Sequence, residues 1–323
     1  MGSDLARNAK WLETARVVAV SDVAEERARP LGEELGAKVF VNYDDMLSQP
    51  DVDAVIVASP PFMHRRMVEA AARAGKHVFC EKPMAPSVAD CDAMIREIEK
   101  AGVKFQIGHV CRFHATHRKV RELVASGKYG SPTTILVHRI GGKWGSNHPN
   151  WRWQRSQSGG VLMEVNAHEI DFMRFVCGDV VAVSAVGGRF VDDQLDYPDV
   201  ALVSMQFANG AVGVLHSSMA SASGGYGGRV DLTEASILFP RIWGGKDDAI
   251  EIQPFIGDRE RIPLAELRVE TPVRAEIRAF VDAILNDTET AITARDGRAA
   301  VEVAESAYLS IERGGELIRL GSA

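Results

Sequence analysis

The chain has 323 residues, 46% of them hydrophobic and 25% charged, which is ordinary globular composition and a length better suited to two domains than to one. Its formal net charge of -7, with no long Lys/Arg block, argues against a nucleic-acid partner. No run approaches about 20 uninterrupted apolar residues, which excludes a membrane-spanning helix, and Met1 to Lys10 lack the apolar core of a secretory signal.

In chain order, Arg16 to Ser21 is a short run rich in β-branched residues that ends at Asp22. Val23 to Leu35 reads as a helix closed by Gly36, Lys38 to Val41 as a second strand, and Asn42 to Leu47 as a short helix start. Asp53 to Ala58 is a near-continuous apolar strand stopped by Ser59-Pro60-Pro61. His64 to Ala74 is helical in period with Gly75 after it, and His77 to Cys80 is a strand ended by Glu81-Lys82-Pro83. Ser87 to Ala101 is a long amphipathic helix with Ser87 as N-cap and Gly102 beyond its end, and Lys104 to Ile107 is one more strand. Buried strands separated by helices predict a parallel sheet with helices on both faces. In such sheets ligands bind outside the carboxyl ends of the strands. Those ends are Asp22, Ser59-Pro60-Pro61, Glu81-Lys82-Pro83 and Gly108-His109, so the suggestive chemistry of the first half lies on one edge.

The second half has another texture. A helix near Thr116 to Ser126 precedes strand-like runs at Thr133 to His138, Val181 to Val186, Val200 to Phe207 and Ala211 to His216, with Asn209-Gly210 as a hairpin signal. One helix, Gly160 to Val176, interrupts, and two more, Val273 to Leu285 and Arg298 to Arg313, follow. This predicts a mostly antiparallel sheet with helices on one face. The Gly224 to Gly228 tract reads as a flexible loop, because no buried strand precedes it and no Lys-Ser/Thr helix follows. The four cysteines are scattered with no C-x-x-C pair, which fits reduced thiols in a cytoplasmic protein rather than disulfides or zinc.

The segments DAVIVASPPFMH, Asp53 to His64, and GKHVFCEKP, Gly75 to Pro83, resemble the glucose–fructose oxidoreductase and inositol dehydrogenase family, Gfo/Idh/MocA. Three further pieces agree in order and spacing: Gly108 to Phe113 (GHVCRF), Ser158 to Asp171 (SGGVLMEVNAHEID) and Asp296-Gly297. The resemblance spans practically the whole chain. It implies an α/β Rossmann-like doubly wound parallel sheet over residues 1–109, and an α+β domain on a mostly antiparallel sheet over 110–323 that serves substrate binding and oligomerisation. The family opens with a strand and a Gly-x-Gly-x-x-Gly turn. Here Met1-Gly2 matches only the end of that turn, 20 residues before Asp22. The first strand and two glycines are therefore expected upstream of an internal Met taken as the start. The alternative is a shortened chain with impaired cofactor binding.

The resemblance implies an NAD-dependent dehydrogenase that oxidises a secondary hydroxyl of a sugar, inositol or related polyol. Gly2, Asp22, Ser59, Pro60, Pro61, His64, Glu81 and Lys82 fall on the cofactor side. A carboxylate at Asp22 can accept both ribose hydroxyls and repels a 2′-phosphate, which favours NAD over NADP; it can equally cap the helix that follows. Lys82, fixed between Glu81 and Pro83, can stabilise charge developing on the reacting oxygen. His168 is the natural base, since imidazole titrates near neutrality. Glu164, where many members carry Asp, orients substrate four residues earlier on the same helical face. Glu164 and His168 could otherwise be a structural pair or a metal pair, but no third ligand is evident, and no metal is expected. Arg112 lines the site or joins the domains. Trp144, Trp151 and Trp153, with Arg152 and Arg155, form a substrate wall, a core cluster or a subunit contact, and Asp171 binds substrate or packs. The partners implied are a small polyol and further copies of the chain, as a homodimer or homotetramer. Two rival functions remain: an NAD-assisted lyase or glycosidase with transient oxidation, and a non-enzymatic relative impaired in cofactor binding.

Overall fold

The computed structural model describes residues 1–144, 150–239, 248–267 and 270–321. The first stretch runs α1 (Gly2–Ala9), β1 (Ala19–Ser21), α2 (Glu25–Leu35), β2 (Lys38–Phe40), α3 (Tyr43–Leu47), β3 (Ala54–Val57), α4 (Pro61–Arg73), β4 (His77–Glu81), α5 (Val88–Ala101) and β5 (Phe105–Gly108). There follow α6 (Ala115–Ala125), β6 (Pro132–Ile140), α7 (Arg155–Ser158), α8 (Val161–Glu164), α9 (Ala167–Cys177), β7 (Val180–Gly188), β8 (Val200–Phe207), β9 (Val212–Ser218) and β10 (Gly225–Leu232). Last come β11 (Ala235–Phe239), β12 (Ala249–Pro254), β13 (Glu260–Pro263), α10 (Pro272–Leu285), α11 (Ala294–Glu312) and β14 (Ile318–Arg319). These elements form two compact units, residues 1–108 with 270–298, and residues 109–269 with 299–323.

The first unit is the expected alternation of strand and helix. Parallel strands β1–β2 form one ladder and β3–β4–β5 another, and among the described residues no strand pairs with both β1 and β3. The local signals act as anticipated. Ser87 Oγ accepts the Asp90 amide N–H at 3.2 Å and caps α5. Gly36 and Gly102 end α2 and α5 with φ of 65°, a left-handed conformation that favours glycine. Pro61 opens α4 at its first helical position. A single cut near residue 109 would assign α10 to the second unit, but α10 packs in the first. Its apolar stripe, Ile277 and Phe280, is buried with Leu5, Leu12 and Phe79. Phe280 meets Phe79 edge to face at 5.9 Å. An amphipathic helix has to bury its stripe, but the stripe does not say against what.

The second unit holds a sheet of nine described strands in the order β13-β12-β11-β10-β6-β9-β8-β7-β14. Its described pairings are antiparallel except β6 with β9. The hairpin signal is correct: Gly210 has φ of 90°, and Ala211 N–H donates to Asn209 Oδ1 at 3.0 Å. β8 alternates cleanly, burying Ala201, Val203, Met205 and Phe207 and turning Leu202, Ser204 and Gln206 outward. Two readings are corrected. The Gly224–Gly228 tract is not a loop over most of its length, since β10 begins at Gly225. A Cβ on Gly228 would stand 2.2 Å from the Leu136 carbonyl oxygen, so glycine is needed for the approach of β10 to β6. The single helix expected over 160–176 is two, α8 and α9, broken at Val165–Asn166.

Replacing Phe280 with Ala empties the centre of the first unit's cluster. It is expected to cost about 3–5 kcal/mol, read as a lower unfolding midpoint in a thermal or urea melt.

Candidate active site

The first unit gathers its candidates at the carboxyl ends of parallel strands. Asp22 follows β1, and its Oδ1 accepts the Ala24 amide N–H at 2.9 Å. It thus takes part in the turn into α2. Gly2 lies where α1 meets the end of β3, and a Cβ there would stand 3.3 Å from Ala58 Cβ. This is the tight helix–strand approach for which dinucleotide folds use glycine. Glu81 is buried, and its Oε2 accepts the Lys82 amide N–H at 3.2 Å. Gly108 makes room for it: a Cβ on Gly108 would stand 3.3 Å from Glu81 Oε1. Lys82 itself is half-buried. The edge therefore fits a dinucleotide through a carboxylate for the ribose, a helix start approached by glycine, and a lysine held by its neighbours.

His64 lies between the turns after β3 and β4. It is 1% exposed, with Nδ1 3.0 Å from the Pro83 carbonyl oxygen and Nε2 2.8 Å from the Ser59 carbonyl oxygen. Both ring nitrogens face backbone acceptors of the turns after β3 and β4. The ring thus braces Ser59-Pro60-Pro61 against Lys82-Pro83.

In the second unit the segment Ser158–Asp171 carries the candidates. Gly159 and Gly160 have φ of 78° and 72°, and a Cβ on Gly160 would lie 2.3 Å from Tyr308 Oη. That hydroxyl accepts the Leu162 amide N–H at 3.0 Å and seats the first turn of α8. The expected shared helical face of Glu164 and His168 is absent, because Asn166 ends the run. Asn readily leaves helical conformation when its side chain finds other partners. Here its Oδ1 accepts the Ser217 hydroxyl at 2.6 Å, and its Nδ2 donates to Glu169 Oε2 at 2.9 Å.

Three carboxylates of this segment are paired with arginines from other elements. Arg152 lies 3.0 Å from Glu164 Oε1 through both Nε and Nη2. Its guanidinium carbon is 5.2 Å from the Trp144 ring centroid and 4.8 Å from that of Trp151, within cation–π range of each. Arg139 reaches Glu169 at 3.1 Å. Arg112 binds Asp171 in bidentate fashion at 2.8 and 2.7 Å and stacks over Phe175. Asp171 has no exposed surface, so the Arg112–Asp171 pair forms an internal brace. Trp151 joins the Arg152 cluster. Trp153 is tied through its backbone, its carbonyl accepting the Asp196 N–H at 3.1 Å.

His168 is half-buried and meets His109 edge to face at 6.2 Å. Nearby in the fold lies a set that spacing alone did not reveal. His117 packs edge to face on Phe172 at 4.3 Å and lies 3.5 Å from Tyr226 Oη. Burial drives the His117 imidazole well below its usual range and the Tyr226 phenol well above its own. Tyr226 was hidden by its glycine-rich setting. His117 sits on the buried side of α6 with Val120 and Val124, and its partner Tyr226 is 109 residues away. Among the described residues no group of three His, Cys, Asp or Glu is placed to hold a metal ion.

The depressed His117 imidazole has a consequence for acid stability. Its folded pKa lies below the unfolded value of about 6.5, so the unfolded chain binds the proton more readily. The contribution is complete above that value and is lost as pH falls toward the folded pKa. His117→Gln is expected to shrink the drop in melting temperature between pH 7 and pH 5, measured by thermal unfolding across that range.

Residues 1–109 match the Gfo/Idh/MocA family model, an oxidoreductase family with an NAD-binding Rossmann fold, and residues 117–238 match the Gfo/Idh/MocA C-terminal domain. Over 321 residues the chain is 30% identical to a myo-inositol 2-dehydrogenase of Thermotoga maritima, across 97% of this chain and 93% of that protein. It is 36% identical over 220 residues to a 2,7-anhydro-N-acetylneuraminate hydratase of Mediterraneibacter gnavus, across 66% of this chain and 58% of that protein. A solved aldose-aldose oxidoreductase of Caulobacter crescentus, complexed with glycerol, is 28% identical with a TM-score of 0.88, across 98% of this chain and 95% of that one. By these matches along both units, the chain belongs to the Gfo/Idh/MocA family of NAD-binding oxidoreductases.

Proposed function

We propose that this protein oxidises a secondary hydroxyl of an inositol, sugar or related polyol, with NAD+ as acceptor. The observation that carries the reading is the 30% identity to a myo-inositol 2-dehydrogenase across nearly the full length of both chains. NAD+, when bound, supplies the acceptor for the hydride. Asp22 takes the ribose hydroxyls, and its charge disfavours the 2′-phosphate of NADP. His168 accepts the hydroxyl proton. The Lys82 ammonium donates a hydrogen bond to the same oxygen as negative charge develops on it. Glu164, steadied by Arg152, accepts hydrogen bonds from substrate hydroxyls. The first unit is assigned to the cofactor, and the second to substrate and assembly.

NADH formation from myo-inositol or simple aldoses, followed by absorbance, tests the reaction. Lys82→Met and His168→Ala are each expected to lower kcat by about 10²–10⁴-fold with unchanged circular dichroism. Full activity in either variant would remove that residue from the mechanism. The likeness to a hydratase supports a second reading, in which oxidation is transient. It predicts product formation without lasting NADH.

The proposal extends to partner and setting. The sheet face bearing Leu136, Leu202, Val212 and Val214 is exposed, and a second copy of the chain is its proposed cover, giving a homodimer or a homotetramer. Leu202→Glu is then expected to yield monomers in analytical ultracentrifugation where the parent chain does not. None of the four cysteines is in a disulfide, which suits a cytoplasmic setting, and no described helix is long and apolar enough to cross a membrane.

A further inference from the structure

The pairing of charge along residues 164–171 says something about the substrate that family membership does not. Three carboxylates, Glu164, Glu169 and Asp171, alternate with the half-buried His168 in eight residues of chain. Each is matched by one guanidinium, from Arg152, Arg139 and Arg112 in turn. The next arginine, Arg155, is held by Glu312 at 2.5 Å and stacks over Tyr308. Two of the three carboxylates have no exposed side-chain surface. Their arginines could turn to a ligand only by leaving a buried charge unmatched, which is strongly destabilising.

The Arg152–Glu164 pair differs from the other two. Arg152 keeps 25% of its side chain exposed and Glu164 keeps 8%, so the pair is reachable. Yet Arg152 is also held in place. Its guanidinium lies within cation–π range of Trp144 and Trp151. Its backbone carbonyl accepts the Tyr197 hydroxyl at 2.6 Å, and Tyr197 Oη accepts the Trp144 indole N–H at 3.3 Å. A planar guanidinium fixed by aromatic faces and one carboxylate is poor at swinging toward a new anion. The carboxylate beside it repels one.

We propose that the substrate is an uncharged polyol or sugar and that the Arg152–Glu164 pair is the specificity determinant that rejects sugar acids and sugar phosphates. This rests on the dehydrogenase reading for the identity of the site. Lys82, the cation assigned to the reacting hydroxyl, lies in the other unit and outside this balance. Glu164 is presented by Arg152 as a hydrogen-bond acceptor for hydroxyls, and the tryptophan faces pack on C–H surfaces. A carboxylate or phosphate substituent meets Glu164 with no unmatched guanidinium among these four arginines to receive it.

The test compares neutral and acidic probes on the full chain with NADH bound. Myo-inositol and D-glucose are titrated against myo-inositol phosphate and D-glucuronate, with binding read from tryptophan fluorescence and turnover with NAD+ measured separately. At least one neutral probe is expected to bind 10-fold or more tightly than its acidic counterpart. In Glu164→Gln, which leaves Arg152 without its carboxylate, that ratio is expected to fall by 10-fold or more. Arg152→Lys is expected to raise KM for the neutral probe more than it lowers kcat, with partial recovery relative to Arg152→Gln. Acidic probes bound as well as neutral ones, binding of none of the probes, or a ratio unmoved in Glu164→Gln with native circular dichroism, would each overturn the proposal. Selective binding of a neutral probe, lost in Glu164→Gln but without any turnover, would instead overturn the dehydrogenase reading and leave only the binding preference of the Arg152–Glu164 pair.

Discussion

The Glu169 carboxylate has no exposed surface, and an ion so placed must be met by several partners or the fold loses several kcal/mol. Arg139 comes to it from β6 and Asn166 from the start of α9, and Tyr226 bonds it from β10. Asn166 is tied in turn to Ser217 on β9. One buried charge therefore joins three neighbouring strands to the first turn of the helix that carries His168. His168 immediately precedes Glu169, so its backbone cannot shift without disturbing this network. The position of the proposed base follows from the need to satisfy its neighbour.

The same constraint explains why α9 has to be stiff. It is buried on nearly every side, with Ile170, Phe172, Met173 and Val176 in the core, and so lacks the polar face that would let it slide. Arg112 clamps its middle through Asp171. At the other end of the segment, glycines at 159 and 160 let the chain pass under Tyr308, and Arg152 holds Glu164. Packing and ion pairs thus act together on a stretch of fourteen residues, Ser158 to Asp171.

Much of the first unit was legible because its signals are local. β-branched runs, a serine cap, prolines at a helix start and glycines past helix ends each act within a few residues. The less legible features are set by distant partners. The i, i+4 spacing of Glu164 and His168 describes one helix, yet Asn166 breaks it because Ser217, 51 residues on, receives its side chain. The glycines at 225–228 look like a loop because glycine usually marks one. Here they let a strand lie against its neighbour. The stripe of α10 was visible, but its target, a cluster begun by Leu5 near the other end of the chain, was not.

His64 shows how one ring can tie two turns together. Its two ring nitrogens lie at 3.0 and 2.8 Å from carbonyl oxygens of two different turns. Neither turn can move outward without losing the ring that fills the space between them. Ser59 follows β3 and Lys82 follows β4, two adjacent strands in register. The brace makes the ends of these strands a single piece, and so sets the backbone from which Lys82 extends together with the turn after β3. A sequence reading that finds histidine beside a ligand-binding edge naturally gives it a ligand. The geometry places the buried ring between the two turns, where it helps to hold that edge in one conformation.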